Sequence, residues 1–204
     1  MSHRRIHNRA FTLAEIITVV AITVVIMIAV GSFQYNVLNY NRSSAVSLTN
    51  AQEAQSLVKV MAREIRATEP SSNGAYPIAA AATSTMTFFA DVDGDGTKEQ
   101  IRYYIATTSV YRGVVKPTGS PLVYTGAETF KILATGIRNA SSSPIFEYYD
   151  GTYEGTSSPM TYPLTITAIR LIRVNLTIDT DPNKAPVWRT FTTQVGLRNL
   201  KDNL

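Results

Sequence analysis

Residues Arg9 to Gly31 read R-A-F-T-L-A-E-I-I-T-V-V-A-I-T-V-V-I-M-I-A-V-G. Of the twenty from Phe11 to Val30, sixteen are apolar and only Glu15 carries a charge. Twenty helical residues cover about 30 Å, the depth of a bilayer's hydrocarbon core. Val, Ile and Thr lean towards strand in water, but twenty residues is too long for an ordinary strand. In lipid, a helix is the form in which one segment satisfies all its own N–H and C=O groups. The stretch therefore predicts a membrane helix, with one acid five residues into it.

The flanks set its orientation. Residues 1–10 hold Arg4, Arg5 and Arg9 and no acid, whereas Arg42 alone is basic within about twenty residues of the far end. The N-terminus is expected in the cytoplasm, with the rest of the chain beyond the membrane. A secretory signal peptide cut after Gly31 is the rival reading. Its apolar core would span only about 7–15 residues and would not contain an acid.

Composition narrows the chemistry. The 204 residues include no cysteine, so disulfides and thiolate metal sites are excluded. Both histidines, His3 and His7, precede the apolar run. A cut before Phe11 would leave no histidine for a Ser-His-Asp, Cys-His or zinc site. The same cut reduces 19 basic residues to 16, against 15 acidic ones. A body so close to neutral has no basic surplus for gripping phosphates, and direct nucleic-acid binding is not expected.

Beyond Gly31 the helix is expected to continue in amphipathic form to Glu69. Val37, Tyr40, Ser44, Leu48, Ala51, Gln55, Val58, Ala62 and Ile65 recur at steps of three and four, with Arg42, Asn50, Gln52, Glu53, Lys59, Arg63 and Glu64 opposite them. Pro70 stops the run. All nine prolines and ten of the eleven glycines lie at or after position 70, so a turn-rich β head begins there. Segments 85–90 and 99–106 alternate and flank D-V-D-G-D-G as a hairpin, with Met86 and Phe88 facing the core opposite Ile101, Tyr103 and Ile105. Weaker strands are expected at 109–115, 129–137 and 145–149, and 71–83 reads as a small-residue connection. A final pair is expected around Ile172–Ile178 and Trp188–Leu197, joined through D-P-N-K-A-P. The fold class is α+β, a long N-terminal helix packed on an antiparallel β head. Three regions are expected: a leader at 1–10, a helix at 11–69 with its membrane part at about 11–31, and the head at 70–204.

A short basic leader followed by R-A-F-T-L-A-E and an apolar run resembles the N-terminus of type IV pilin-like proteins, the prepilins and pseudopilins. The resemblance implies that a prepilin peptidase cleaves between Ala10 and Phe11 and methylates the new amino group of Phe11. It also implies that Glu15 acts in assembly. Ala10 stands where the family usually has glycine, and Ser32 stands where many major pilins have a kinking proline. The stretches F-F-A-D-V-D-G-D-G-T-K-E-Q-I-R-Y-Y-I and F-T-T-Q-V-G-L-R-N-L look like the J-type pseudopilins of type II secretion and the W-type minor pilins. The implied partners are other pilins or pseudopilins, the peptidase and an inner-membrane assembly platform. The implied location is a bacterial inner membrane, then a periplasmic or extracellular fibre. Physics supplies a task for Glu15 without the name. A carboxylate in a membrane helix costs about 2.5–3.5 kcal/mol and needs a partner, and cleavage would create an amine within one helical turn. A Glu resting at the headgroup boundary is the plainer alternative.

Within the head, Asp91, Asp93, Asp95 and Gly96 match the first half of a calcium loop, and Glu99 falls at its ninth position. Arg102 occupies the twelfth, where a bidentate acid belongs, and strands flank the loop in place of helices. Two readings stay open, a calcium site and a hairpin turn whose Asp and Gly residues supply the backbone angles, with the turn favoured. Asp179 and Asp181 read as turn residues. The sequons at Asn41, Asn139 and Asn175 are of a kind chance produces. Tyr148, Tyr149, Tyr153 and Tyr162 are either an aromatic contact patch or half-buried strand positions. Arg198 and Asn199 are expected to close the last strand against the helix. No residue pair presents a nucleophile with its base, and Glu128, Glu147 and Glu154 show no acid–base spacing. The expected function is a non-enzymatic fibre subunit without a cofactor, calcium excepted.

Overall fold

A computed structural model describes residues 11–139, 143–179 and 188–200, with only the backbone described for 42–50. Helix α1 runs Leu13–Arg66, and eight strands follow. They are β1 (Ile78–Ala81), β2 (Thr85–Ala90), β3 (Glu99–Ala106), β4 (Ser109–Val115), β5 (Thr129–Thr135), β6 (Phe146–Tyr149), β7 (Leu171–Asp179) and β8 (Trp188–Gly196). The class is α+β, as the patterning predicts. The chain divides into two units, Met1–Ala45 and Val46–Leu204.

In the first unit, every described residue from 11 to 41 is exposed. Leu13–Asn41, 29 residues, is long and apolar enough to cross a membrane. The hydroxyls of Thr18 and Thr23 donate to the carbonyls of Ala14 and Val19 at 2.7 Å, one turn back. Two side chains that would be costly in lipid are thus satisfied within the helix.

In the second unit, β1 to β5 form an antiparallel sheet in sequence order and β6 to β8 a second one. Met86 lies opposite Tyr103 and Phe88 opposite Ile101, and all four are fully buried. Ile105 is only partly buried at the edge of this core. In β7 the predicted alternation holds, with Ile172, Val174, Leu176 and Ile178 inward. These residues share one core with Ala54, Leu57, Val58, Met61, Ala62 and Ile65 of α1.

Three expectations need correction. The helical stripe is wider than predicted: Ala51, Val58, Ala62 and Ile65 are buried as expected, but Ala54, Leu57 and Met61 are buried beside them and Gln55 is exposed. Residues three and four apart mark a stripe but not its edges when Ala and Gln are interspersed. Val37 and Tyr40 lie in the wholly exposed part of the helix, and Ser44 and Leu48 lie where side chains are not described. Residues 78–81 form β1 rather than connection. Its three alanines carry no alternation, and the strand exists because β2 offers an unpaired edge. Strand β5 stops at Thr135, before Ile137.

The cause of that stop is Gly136, at φ 75°, which turns the chain so that Ile137 bridges to Ile178 and joins the two sheets. The Asp179 N–H donates to the Gly136 carbonyl at 2.9 Å. A Cβ at Gly136 would sit 3.2 Å from the Asp179 carbonyl oxygen, in a backbone region that costs L-residues about 1–2 kcal/mol. Gly136→Ala is therefore expected to lower stability by about that amount in urea denaturation. Gly196→Ala, with no positive φ and nothing within 4 Å of its Cβ, serves as the control that stays near wild type.

Helix α1 closes before Pro70. The Thr68 hydroxyl donates to the Ile65 carbonyl at 2.7 Å, and the Glu69 N–H then donates to the Phe89 carbonyl at 2.9 Å, entering the sheet. Asn199, in the last turn (Arg198–Leu200), donates to the Thr68 carbonyl at 3.0 Å. This turn therefore meets the chain just past the helix through Asn199, while the Arg198 side chain is exposed.

Candidate functional site

Two groups of side chains carry chemistry. The first is at the start of α1. Thr12 caps the helix, its carbonyl and hydroxyl accepting the Glu15 N–H at 3.1 and 3.3 Å. T-L-A-E thus has the form of a capping box, and an acid in the first turn also faces the positive end of the helix dipole. This local signal places Glu15 in the first turn, exposed, four residues from the exposed Phe11. Among the described residues no side chain pairs with its carboxylate. Ala10 lies outside the described residues, as do His3 and His7.

The second group is the β2–β3 loop. Asp91 organises it, Oδ1 accepting the Gly94 N–H at 2.7 Å and Oδ2 the Gly96 N–H at 2.9 Å. Asp93 Oδ1 accepts the Asp95 N–H at 3.3 Å, and Asp95 Oδ1 accepts the Thr97 N–H at 2.7 Å. Gly94 and Gly96 take φ of 78° and 87°, angles that glycine alone adopts freely. Asp91, Asp93 and Asp95 therefore serve the hairpin turn. Lys116, just past β4, pairs with Asp93 and holds its carboxyl below the usual carboxylate range.

Of the four acids proposed from sequence, three converge. One carboxylate oxygen from each of Asp91, Asp93 and Glu99 lies within 4.8 Å of the others. Asp95 is not in this group. Glu99 opens β3 and is 1% exposed. Its Oε2 accepts the Val92 N–H at 3.1 Å, and its Oε1 is buried without a hydrogen-bond partner.

Other sequence candidates resolve into structure. Tyr148 and Tyr149 are buried on opposite faces of β6, Tyr153 packs on Tyr149 with ring centroids 4.3 Å apart, and Tyr162 is exposed, so the four make no common patch. Asn139 donates to the Ser143 and Asn175 carbonyls and accepts the Thr177 N–H, a clip beside β7. The Asn175 side chain accepts from Thr192 on β8, and Asn41 is exposed on α1. Glu128 pairs with Arg102, Glu147 with Arg173, and Asp179 with Arg138. Glu154 is exposed, and Asp181 lies outside the described residues.

Sequence reasoning missed a partly buried polar cluster. Glu64, assigned to the solvent face, accepts from the Tyr103 hydroxyl at 2.7 Å and from Arg112 Nε at 2.9 Å. The Arg112 and Glu64 side chains are 20% and 12% exposed. Burial, with the Glu64 charge beside it, pushes the Tyr103 phenol far above its ordinary range, so the hydroxyl remains a donor. The signal was present in β4, where alternation turns Arg112 to the same face as Val110, opposite Tyr103. A charge on an inward face needs a partner.

No protein-family profile matches the chain, and no curated protein matches it significantly in sequence.

Proposed function

We propose that the chain is a minor pilin or pseudopilin, a non-enzymatic subunit of a type IV pilus or type II secretion pseudopilus, processed between Ala10 and Phe11. The observation that carries this reading is the exposed apolar helix Leu13–Asn41, whose one ionic side chain up to that point, Glu15, stands in the first turn directly after R-A-F-T-L-A. An apolar surface of this extent needs lipid or other helices to cover it. A bilayer does so in the stored precursor, and equivalent helices of neighbouring subunits do so in the fibre. Glu15 then pairs with the Phe11 amine of a neighbour and sets the stagger between subunits. The inner membrane holds the precursor with its N-terminus cytoplasmic, and the assembly platform extracts it. The head is displayed around the fibre, and its J-type and W-type resemblance favours a tip or initiation complex over the repeating shaft.

Mass spectrometry of the mature N-terminus tests this. A methylated Phe11 terminus is the expected result. A chain beginning at Ser32 would identify a secreted protein, and an intact leader a permanently anchored surface enzyme or lectin; either ends the pilin reading.

A further inference from the structure

We propose that the β2–β3 loop binds a calcium ion, with Glu99 as the buried ligand and Asp91 and Asp93 as the loop ligands. The turn accounts for Asp91, Asp93 and Asp95, whose oxygens accept backbone N–H groups that shape the loop. It does not account for Glu99. The first residue of β3 needs no acid, yet Glu99 is 1% exposed with Oε1 buried and unpartnered. Burying a carboxylate oxygen with nothing to bond it is costly. The side chain is aimed at the loop acids, since one of its oxygens is within 4.8 Å of an oxygen of Asp91 and one of Asp93. A cation among the three would complete the Glu99 coordination and relieve the repulsion between like charges. The backbone bonds to Asp91 and Asp93 leave lone pairs free, because an ionised carboxylate accepts about four hydrogen bonds.

The donor set selects the ion. All three ligands are hard oxygens on an irregular loop, which suits the variable coordination of calcium better than the strict octahedron of magnesium. The Lys116 ammonium, bonded to Asp93 Oδ2, competes with the ion. The Lys116 side chain is 63% exposed and can swing away into solvent. With three carboxylates and a competing ammonium, the affinity belongs in the weak extracellular range, Kd about 10⁻⁴–10⁻³ M.

Isothermal titration of the full chain in detergent micelles with CaCl2, and in parallel with MgCl2, tests the site. The expected result is one calcium bound in that range, a Tm that rises with calcium, and a weaker response to magnesium. Glu99→Gln should bind calcium roughly tenfold or more weakly, as affinity follows ligand charge, while its metal-free Tm rises because the buried charge is gone. Asp93→Ala, which removes an exposed side chain and one 3.3 Å turn bond, should also lose binding, with its metal-free Tm as the check on folding. Lys116→Met should bind more tightly than wild type. The proposal is overturned by no heat or Tm shift at about 10 mM calcium, by magnesium binding as tightly, or by Asp93→Ala binding like wild type.

Discussion

A Glu15→Ala chain is expected to insert into the membrane normally and to be lost from assembled fibres. Insertion should not suffer, because the substitution removes the one ionic side chain of residues 11–41. That carboxylate costs up to about 2.5–3.5 kcal/mol in a membrane helix, and less near the headgroups. The cap at Thr12 survives too, since the bond from the Glu15 N–H to the Thr12 carbonyl belongs to the backbone. On the proposed assembly, what disappears is the acceptor for the neighbour's Phe11 amine. Leaving one charge of a desolvated pair unmatched costs about 3–5 kcal/mol, or roughly two to nearly four orders of magnitude per contact. Membrane fractionation should show wild-type amounts of precursor, and immunoblots of sheared fibres little or none. Glu15→Gln separates charge from shape. It should fail nearly as badly, because an amide cannot neutralise the amine. Fibres of Glu15→Ala at wild-type abundance would refute the pairing.

The second large effect lies in the head. Ile65→Ala should destabilise it by about 2–5 kcal/mol, a large share of the 5–15 kcal/mol that holds an ordinary domain together. Ile65 is fully buried and belongs to the core shared by the C-terminal part of α1 and both sheets. The neighbouring residue Glu64 bonds the Tyr103 hydroxyl and Arg112 Nε, so the same helical turn carries both apolar packing and polar contacts to the sheet. Ile65→Val, which removes one methylene, should cost about 0.5–1.5 kcal/mol. Urea denaturation followed by near-UV circular dichroism is the measurement, because Tyr103, Tyr148 and Tyr149 are all buried. A loss below about 1 kcal/mol for Ile65→Ala would mean that this helical face contributes little to the head.

The sequence carried much of the local structure. Strands β2, β3 and β4 lie at the predicted residues: alternation marks the first two, D-V-D-G-D-G leaves one turn between them, and the weaker pattern of β4 is enough once β3 offers it an edge. Strand β1 was illegible, since Ile-Ala-Ala-Ala has no pattern and takes its conformation from β2. The acidic loop was legible as a motif in Asp91, Asp93, Asp95 and, at its ninth position, Glu99. What no spacing could show is that Glu99 is buried with its Oε1 without a partner.

By itself, the sequence determined the apolar helix, the acid in its first turn, the α+β class and the hairpins. Each is a pattern among residues close in the chain, where 1.5 Å of helical rise or a two-residue strand period dictates what faces the same way. Only the tertiary structure decided which helical face is buried, that Glu64 meets Tyr103 and Arg112, that Ile137 bridges to Ile178, and that Asp91, Asp93 and Glu99 converge without Asp95. Those contacts join residues distant in the chain or turned by a loop, and their energies depend on burial, which no local pattern measures.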